Sequence, residues 1–314
     1  MSLIRSSLLA LGLLISPLAL AKVAVTATFS ILGDLVQQVG GDQVTVTTLV
    51  GPNGDAHVYQ PTPQDIRTLA QSKLLVSNGL GFEGWLERLD SASGFQGVKV
   101  VASQGVQPHQ MQDEDKHAAH DSHQQAAHGH DDDHHQHGGI DPHAWNNPAN
   151  VLIYVDNIAR GLSQVDPEHA RLYADNAARY KAQLQQLDAE YRARFAKLPA
   201  DRRRAITSHD AFGYLAQAYQ LTLIGAQGIS TDAEPSAAAI AALIRQIRNE
   251  KIPALFIENI SNPTLIQQIE RETDAKVGGE LYSDALSPAG GDAASYRAML
   301  EHNLNTLLAA LEKQ

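Results

Sequence analysis

The stretch from Asp166 to Leu198, "DPEHARLYADNAARYKAQLQQLDAEYRARFAKL", constrains the fold most. Tyr173, Ala177, Tyr180, Leu184, Leu187, Tyr191, Phe195 and Leu198 step by three or four, the spacing of one apolar helix face. After Pro167 at its start, no Gly or Pro interrupts it. A helix over 166–198 would run about 50 Å at 1.5 Å per residue. Such a rod is long enough to pass from one lobe of a protein to another.

Strand and helix patterns alternate on both sides of this rod. Before it, "KVAVTATF", "VTVTTLV", "LLVSNG" and "VKVVAS" read as strands, with Ser30 as a helix cap, Gly40 as a helix stop, and Asn147-Pro148 opening a further helix. After it, "RAITS", "LTLIGA", "ALFIEN" and "KVGGEL" read as strands, and "SYRAMLEHNLNTLLAALEK" as a closing helix. The expected fold is α/β: two similar lobes, each a small parallel sheet flanked by helices, joined by one long rigid helix. The expected divisions are a signal peptide at 1–21, a first lobe at 22–165, the linking helix at 166–198 and a second lobe at 199–314. Arg5, the apolar run Leu8–Leu20 and the Ala19-Leu20-Ala21 pattern point to export and cleavage ahead of Lys22. The apolar run is short for a membrane anchor. For a Gram-negative source the destination is the periplasm.

Residues 109–137 break the alternation with nine histidines and seven acids. With Met111 as the one large apolar side chain, this stretch has too little to bury and is expected to be a disordered loop inside the first lobe. His117, His120, His123, His128, His130, His134, His135 and His137 are candidates for weak, auxiliary metal binding there. The chain carries a net charge of −11, which argues against nucleic acid and suits a cationic ligand. It has no cysteine, which excludes disulfides, thiolate sites and cysteine-linked lipid, so a metal would be held by nitrogen and oxygen.

Outside the loop, His169 and His302 fall on polar helix positions and read as surface residues. His57, His209 and Asp284 fall just after strands, and His143 lies just before a helix. Ligands of open α/β sheets bind beyond the carboxyl ends of strands. Two of the four residues fall in each half, so a cleft between lobes would bring three imidazoles and one carboxylate together, a set suited to a transition metal. Histidines after strands are also common as hydrogen-bonded loop residues, so spacing alone leaves both readings open. Asp55, Asp141 and Asp210 flank the histidines, either as acceptors orienting the rings or as solvated loop acids.

The segments "GPNGDAHVYQPTPQD", "NGLGFEGWL", "DPHAWNNP", "SHDAFGYLAQAY", "GISTDAEPSA" and "YSDALS" occur in an order that resembles the metal-binding solute-binding proteins of zinc and manganese ABC importers, cluster A-I. The resemblance covers the whole chain after residue 21. It implies two α/β lobes on a backbone helix, a metal between them held by His57, His143, His209 and Asp284, and delivery to a membrane permease. Manganese members typically carry glutamate where this chain has His209, so the resemblance implies Zn2+ over Mn2+. The acidic histidine-rich loop is similar to that of zinc members. A monomer, possible loading by a periplasmic zinc chaperone and no enzymatic activity are the companion expectations. A zinc hydrolase would want an open coordination position and a general base, and a metal buffer would work through the loop alone.

Overall fold

A computed structural model describes residues 22–110 and 139–313. The expected signal peptide at 1–21 and the loop histidines from His117 to His137 lie outside these residues. The first sheet contains β1 (Val23–Phe29), β2 (Val44–Val50), β3 (Leu74–Ser77) and β4 (Val98–Val101), all parallel, in the order β2-β1-β3-β4. The second contains β5 (Arg204–His209), β6 (Thr222–Gln227), β7 (Ala254–Glu258) and β8 (Lys276–Leu281), in the matching order β6-β5-β7-β8. In each sheet the strand order reverses between the first and third strands. The carboxyl end of that pair is where such sheets leave a crevice.

The sequence explains the strands' different faces. Central β1 is buried on both sides, so the hydroxyls of "VAVTATF" need partners: Thr28 Oγ1 donates to Glu83 Oε1 at 2.6 Å, and Thr26 Oγ1 meets Ser72 Oγ at 2.6 Å. Edge strand β2, "VTVTTLV", alternates buried and exposed positions over most of its length. Edge strand β8 bulges opposite Leu255–Phe256. At its Gly278 a β-carbon would lie 2.7 Å from Ala310 Cβ, so only glycine lets the closing helix α9 (Tyr296–Glu312) pack this closely.

The helices that flank the strands are α1 (Ser30–Gly40), α2 (Pro63–Gln71), α3 (Leu86–Ser93), α4 (Pro148–Val165), α5 (Ala170–Phe195), α6 (Gly213–Tyr219), α7 (Ala237–Glu250) and α8 (Thr264–Glu272). Asn147 caps α4, accepting from the Ala149 amide, and Pro148 occupies its first turn as the sequence suggests. Ser30 does not cap α1. It is the first helical residue, and its hydroxyl instead accepts from the Leu286 amide at 2.9 Å across the two halves.

The long helix α5 is shorter than its periodicity suggests, 26 residues. Pro167–His169 form a tighter 3-10 turn, stabilised by Asp166, which contacts His169 Nδ1 and accepts from Tyr173 OH. Beyond Phe195 the chain turns toward Pro199. Its apolar stripe from Tyr173 to Phe195 is buried as the spacing requires. One hydrophobic core runs from the first sheet through α5 to α6 and α9 on one face of the second sheet. A separate cluster around Ile206, Ile247, Leu255 and Ile269 lies beneath α7 and α8. No described helix is long and apolar enough to cross a membrane.

Candidate metal centre

Each of the four singled-out residues is placed by a different element. His57 stands on the β2–α2 loop. His143 follows Asp141-Pro142 and leads into a 3-10 turn before α4. His209 is the last residue of β5 itself, not a residue beyond it, and Asp284 follows β8. One ligand-type atom from each lies within 4.8 Å of all the others. His57 Nε2 is 3.1 Å from Asp284 Oδ2 and 3.3 Å from His143 Nε2. His209 Nε2 is 3.3 Å from Asp284 Oδ2, and His143 Nε2 is 3.7 Å from Asp284 Oδ1. His143, His209 and Asp284 are fully buried, and the His57 side chain is nearly so.

His209 Nε2 and both Asp284 oxygens are buried without a hydrogen-bond partner. Orphaned polar atoms in such numbers carry a large desolvation cost. A shared cation removes it. Donor atoms about 2.0–2.1 Å from a tetrahedral ion stand about 3.3 Å apart, the spacing seen among these nitrogens and oxygens.

The outer nitrogens fix which face each ring presents. His143 Nδ1 is 2.8 Å from Asp141 Oδ1, and the same oxygen accepts the His143 amide. His209 Nδ1 is 2.5 Å from Glu258 Oε2, and Glu258 Oε1 accepts the His209 amide at 3.0 Å. A carboxylate on Nδ1 keeps the proton there and turns Nε2 inward as a donor to metal. Of the three flanking aspartates, therefore, only Asp141 binds a ring. Asp55 accepts the His57 backbone amide, and Asp210 makes no bond to the His209 ring; the Asp210 amide donates to Gly228 O. The residue that orients His209 is Glu258, at the carboxyl end of β7 beside β5. Its sequence signal is an acid closing the buried strand "ALFIE", where a charge needs a partner.

In the metal-free site, burial opposes protonation of His143, but Asp284 and Asp141 lift its pKa to about 9. Burial likewise opposes charge on His209, while Glu258 and Asp284 hold it well above the ordinary imidazole value. Burial would raise Asp284, yet His143 and His209 keep it well below the usual carboxylate range.

The Asp284 and His209 segments are gripped from the first half. Trp145 Nε1 donates to Ser283 O at 2.8 Å, and Asn146 Nδ2 donates to Ala211 O at 3.0 Å. Leu286 is bonded on both sides, its amide to Ser30 Oγ and its carbonyl to the Asn53 amide. Phe82 packs edge-on against His57, and Trp145 packs against His143, so apolar surface walls one side.

Residues 25–310 match the family described as "ZnuA: Zinc-uptake complex component A periplasmic". The chain belongs to this family. It is a family of periplasmic metal-binding, solute-binding proteins of cluster A-I ABC importers. Among its relatives, the iron-binding protein YfeA of Yersinia pestis is 31% identical over 291 residues, covering 91% of this chain and 85% of that one. The manganese ABC transporter substrate-binding lipoprotein PsaA of Streptococcus pneumoniae is 28% identical, covering 93% of this chain and 90% of that one. Among solved structures, the periplasmic zinc binding protein TroA from Treponema pallidum superimposes with a TM-score of 0.80 at 29% identity, covering 93% of this chain and 99% of that one.

Replacing Glu258 by glutamine is expected to weaken metal binding by about 10–100-fold, the usual cost of losing such a partner. Asp210→Asn is expected to change it little, because Asp210 makes no bond to the His209 ring. Titrating zinc into both variants checks this ordering, and the reverse order would show that Asp210 orients His209.

Proposed function

We propose that the protein captures Zn2+ outside the cytoplasm at His57, His143, His209 and Asp284 and delivers it to the membrane permease and ATPase of an ABC importer. The observation carrying this reading is the convergence of four donor atoms within 4.8 Å of one another, with His209 Nε2 and both Asp284 oxygens buried and otherwise unpaired. The metal here is cargo. Three imidazole nitrogens and one carboxylate suit zinc better than the harder manganese ion. Four protein donors also close the shell, whereas a zinc hydrolase keeps a position open for water.

The relatives' names divide among iron, manganese and zinc, and the similar Candidatus Liberibacter asiaticus protein has been solved with manganese and with cadmium bound. One observation favours a manganese reading: both Asp284 oxygens are unpaired, so the carboxylate has a second oxygen to offer a metal of higher coordination number. Competitive titration of the metal-free protein with Zn2+ and Mn2+, with elemental analysis of the purified protein, separates the two. Zinc binding at least about a hundredfold tighter supports the proposal, since affinity for a nitrogen-rich site rises steeply from manganese to zinc. Equal or tighter manganese binding overturns it.

In the proposed cycle the loop histidines His117, His120, His123, His128, His130, His134, His135 and His137 act as weak collectors, their aspartate neighbours raising the local cation concentration. The protein works as a monomer, with a periplasmic chaperone as a candidate source of metal.

A further inference from the structure

His57 differs from the other two histidines. His143 and His209 each have a carboxylate on Nδ1, fixed to the chain nearby. His57 has no carboxylate on its outer ring nitrogen among the described residues. Its ring leans on Phe82, and its backbone is positioned by Asp55, whose Oδ1 accepts the His57 amide at 2.9 Å. The second oxygen of the same carboxylate, Asp55 Oδ2, accepts from Thr231 Oγ1 at 2.5 Å.

Thr231 belongs to the other half, on the loop 228–236 between β6 and α7. Among the described residues, this is the hydrogen bond by which that loop reaches the first half. The loop's root is tied to the neighbourhood of His209, because the Asp210 amide donates to Gly228 O at 3.2 Å. One chain of contacts thus runs from the His209 side of the cleft, through Thr231 and Asp55, to the backbone of His57.

The geometry points to Thr231 as a positioning residue that locks His57 onto the metal when the loop 228–236 closes over the cleft. The inference rests on the four-residue metal site proposed above. With Thr231 in place, Asp55 is held at both oxygens and His57 has one backbone position. When the loop withdraws, Asp55 keeps only its local bond, and the least supported of the four residues is freed first. Thr231 touches no metal. It acts on how long the metal stays rather than on which atoms bind it.

The test uses the full chain loaded with one equivalent of zinc, mixed rapidly with excess chelator to read dissociation. Thr231→Val keeps the side chain's shape and removes the hydroxyl. Dissociation is expected to quicken about tenfold, the cost of a hydrogen bond to a charged acceptor. Thr231→Ser restores the hydroxyl and is expected to dissociate at nearly the original rate. The Co2+-loaded Thr231→Val protein is expected to keep the original visible spectrum, because all four donors remain. Unchanged dissociation in Thr231→Val overturns the inference. So does equal acceleration in valine and serine variants, which would indicate a packing effect. Failure of the underlying site would look different: His209→Ala would then hold zinc as tightly as the original chain, whatever Thr231 does.

Discussion

Replacing Asp284 by alanine is expected to weaken zinc binding on the order of a hundred- to a thousandfold. Roughly 10–16 kcal/mol of binding free energy is shared among four protein donors in such sites, so one donor is worth about two to three powers of ten. Asp284 should lie at the upper end, for two reasons. Its carboxylate approaches all three histidines, at 3.1, 3.3 and 3.7 Å. It is also the one negative charge among the four, so its loss leaves a divalent ion facing three neutral rings. Folding should survive, since the flanking anchors Trp145–Ser283 and Ser30–Leu286 do not use its side chain. Isothermal titration of the variant, with thermal melting of its metal-free form, reads both effects. Affinity within about threefold of the original would remove Asp284 from the site, well short of the loss of a donor.

Binding should weaken steeply as pH falls. In the metal-free protein His143 titrates near 9 and His209 well above the ordinary imidazole value, so both carry a proton at pH 7. Each keeps its Nδ1 proton toward Asp141 or Glu258 and must surrender the Nε2 proton before that atom can meet metal. The sign follows: the raised values favour the protonated, metal-free form, so protons compete with zinc below them. Each displaced proton costs up to about tenfold in affinity per pH unit, and two give up to about a hundredfold. Between pH 7 and pH 6 this is the second-largest effect expected. Calorimetry at pH 7 in buffers of differing ionisation enthalpy should report about two protons released per zinc. Release of none would mean that His143 and His209 are already neutral, or stand outside the metal's reach.

The parts of this arrangement legible in the sequence are those whose cause is local. The α5 stripe is set by spacing within one helix, and the strand–helix alternation appears as two sheets of matching order. The four residues brought together at the cleft stand near strand ends in the sequence, but spacing alone leaves their role open, and it is the family resemblance that implies them as one set. What sequence could not give is non-local. Glu258 and His209 are far apart along the chain and meet because β5 and β7 are neighbours at the point where strand order reverses. Asp210, adjacent to His209 in sequence, points elsewhere because residues on either side of a strand end face opposite ways. Ser30 has the composition of a helix cap, but a partner from the other half claims its hydroxyl. Asp55 looked like a candidate to orient a ring, and instead holds a backbone amide and Thr231.

In the proposed site one zinc is held by three histidine nitrogens and one aspartate oxygen. X-ray absorption at the zinc edge, on protein carrying a single equivalent, tests it most directly. A four-coordinate shell with three imidazole nitrogens and one carboxylate oxygen at about 2.0–2.1 Å is expected. The His209→Ala protein should lose one imidazole from that shell. A shell of four or more imidazoles, or one unchanged in the His209→Ala protein, would contradict it by placing the first zinc on other histidines.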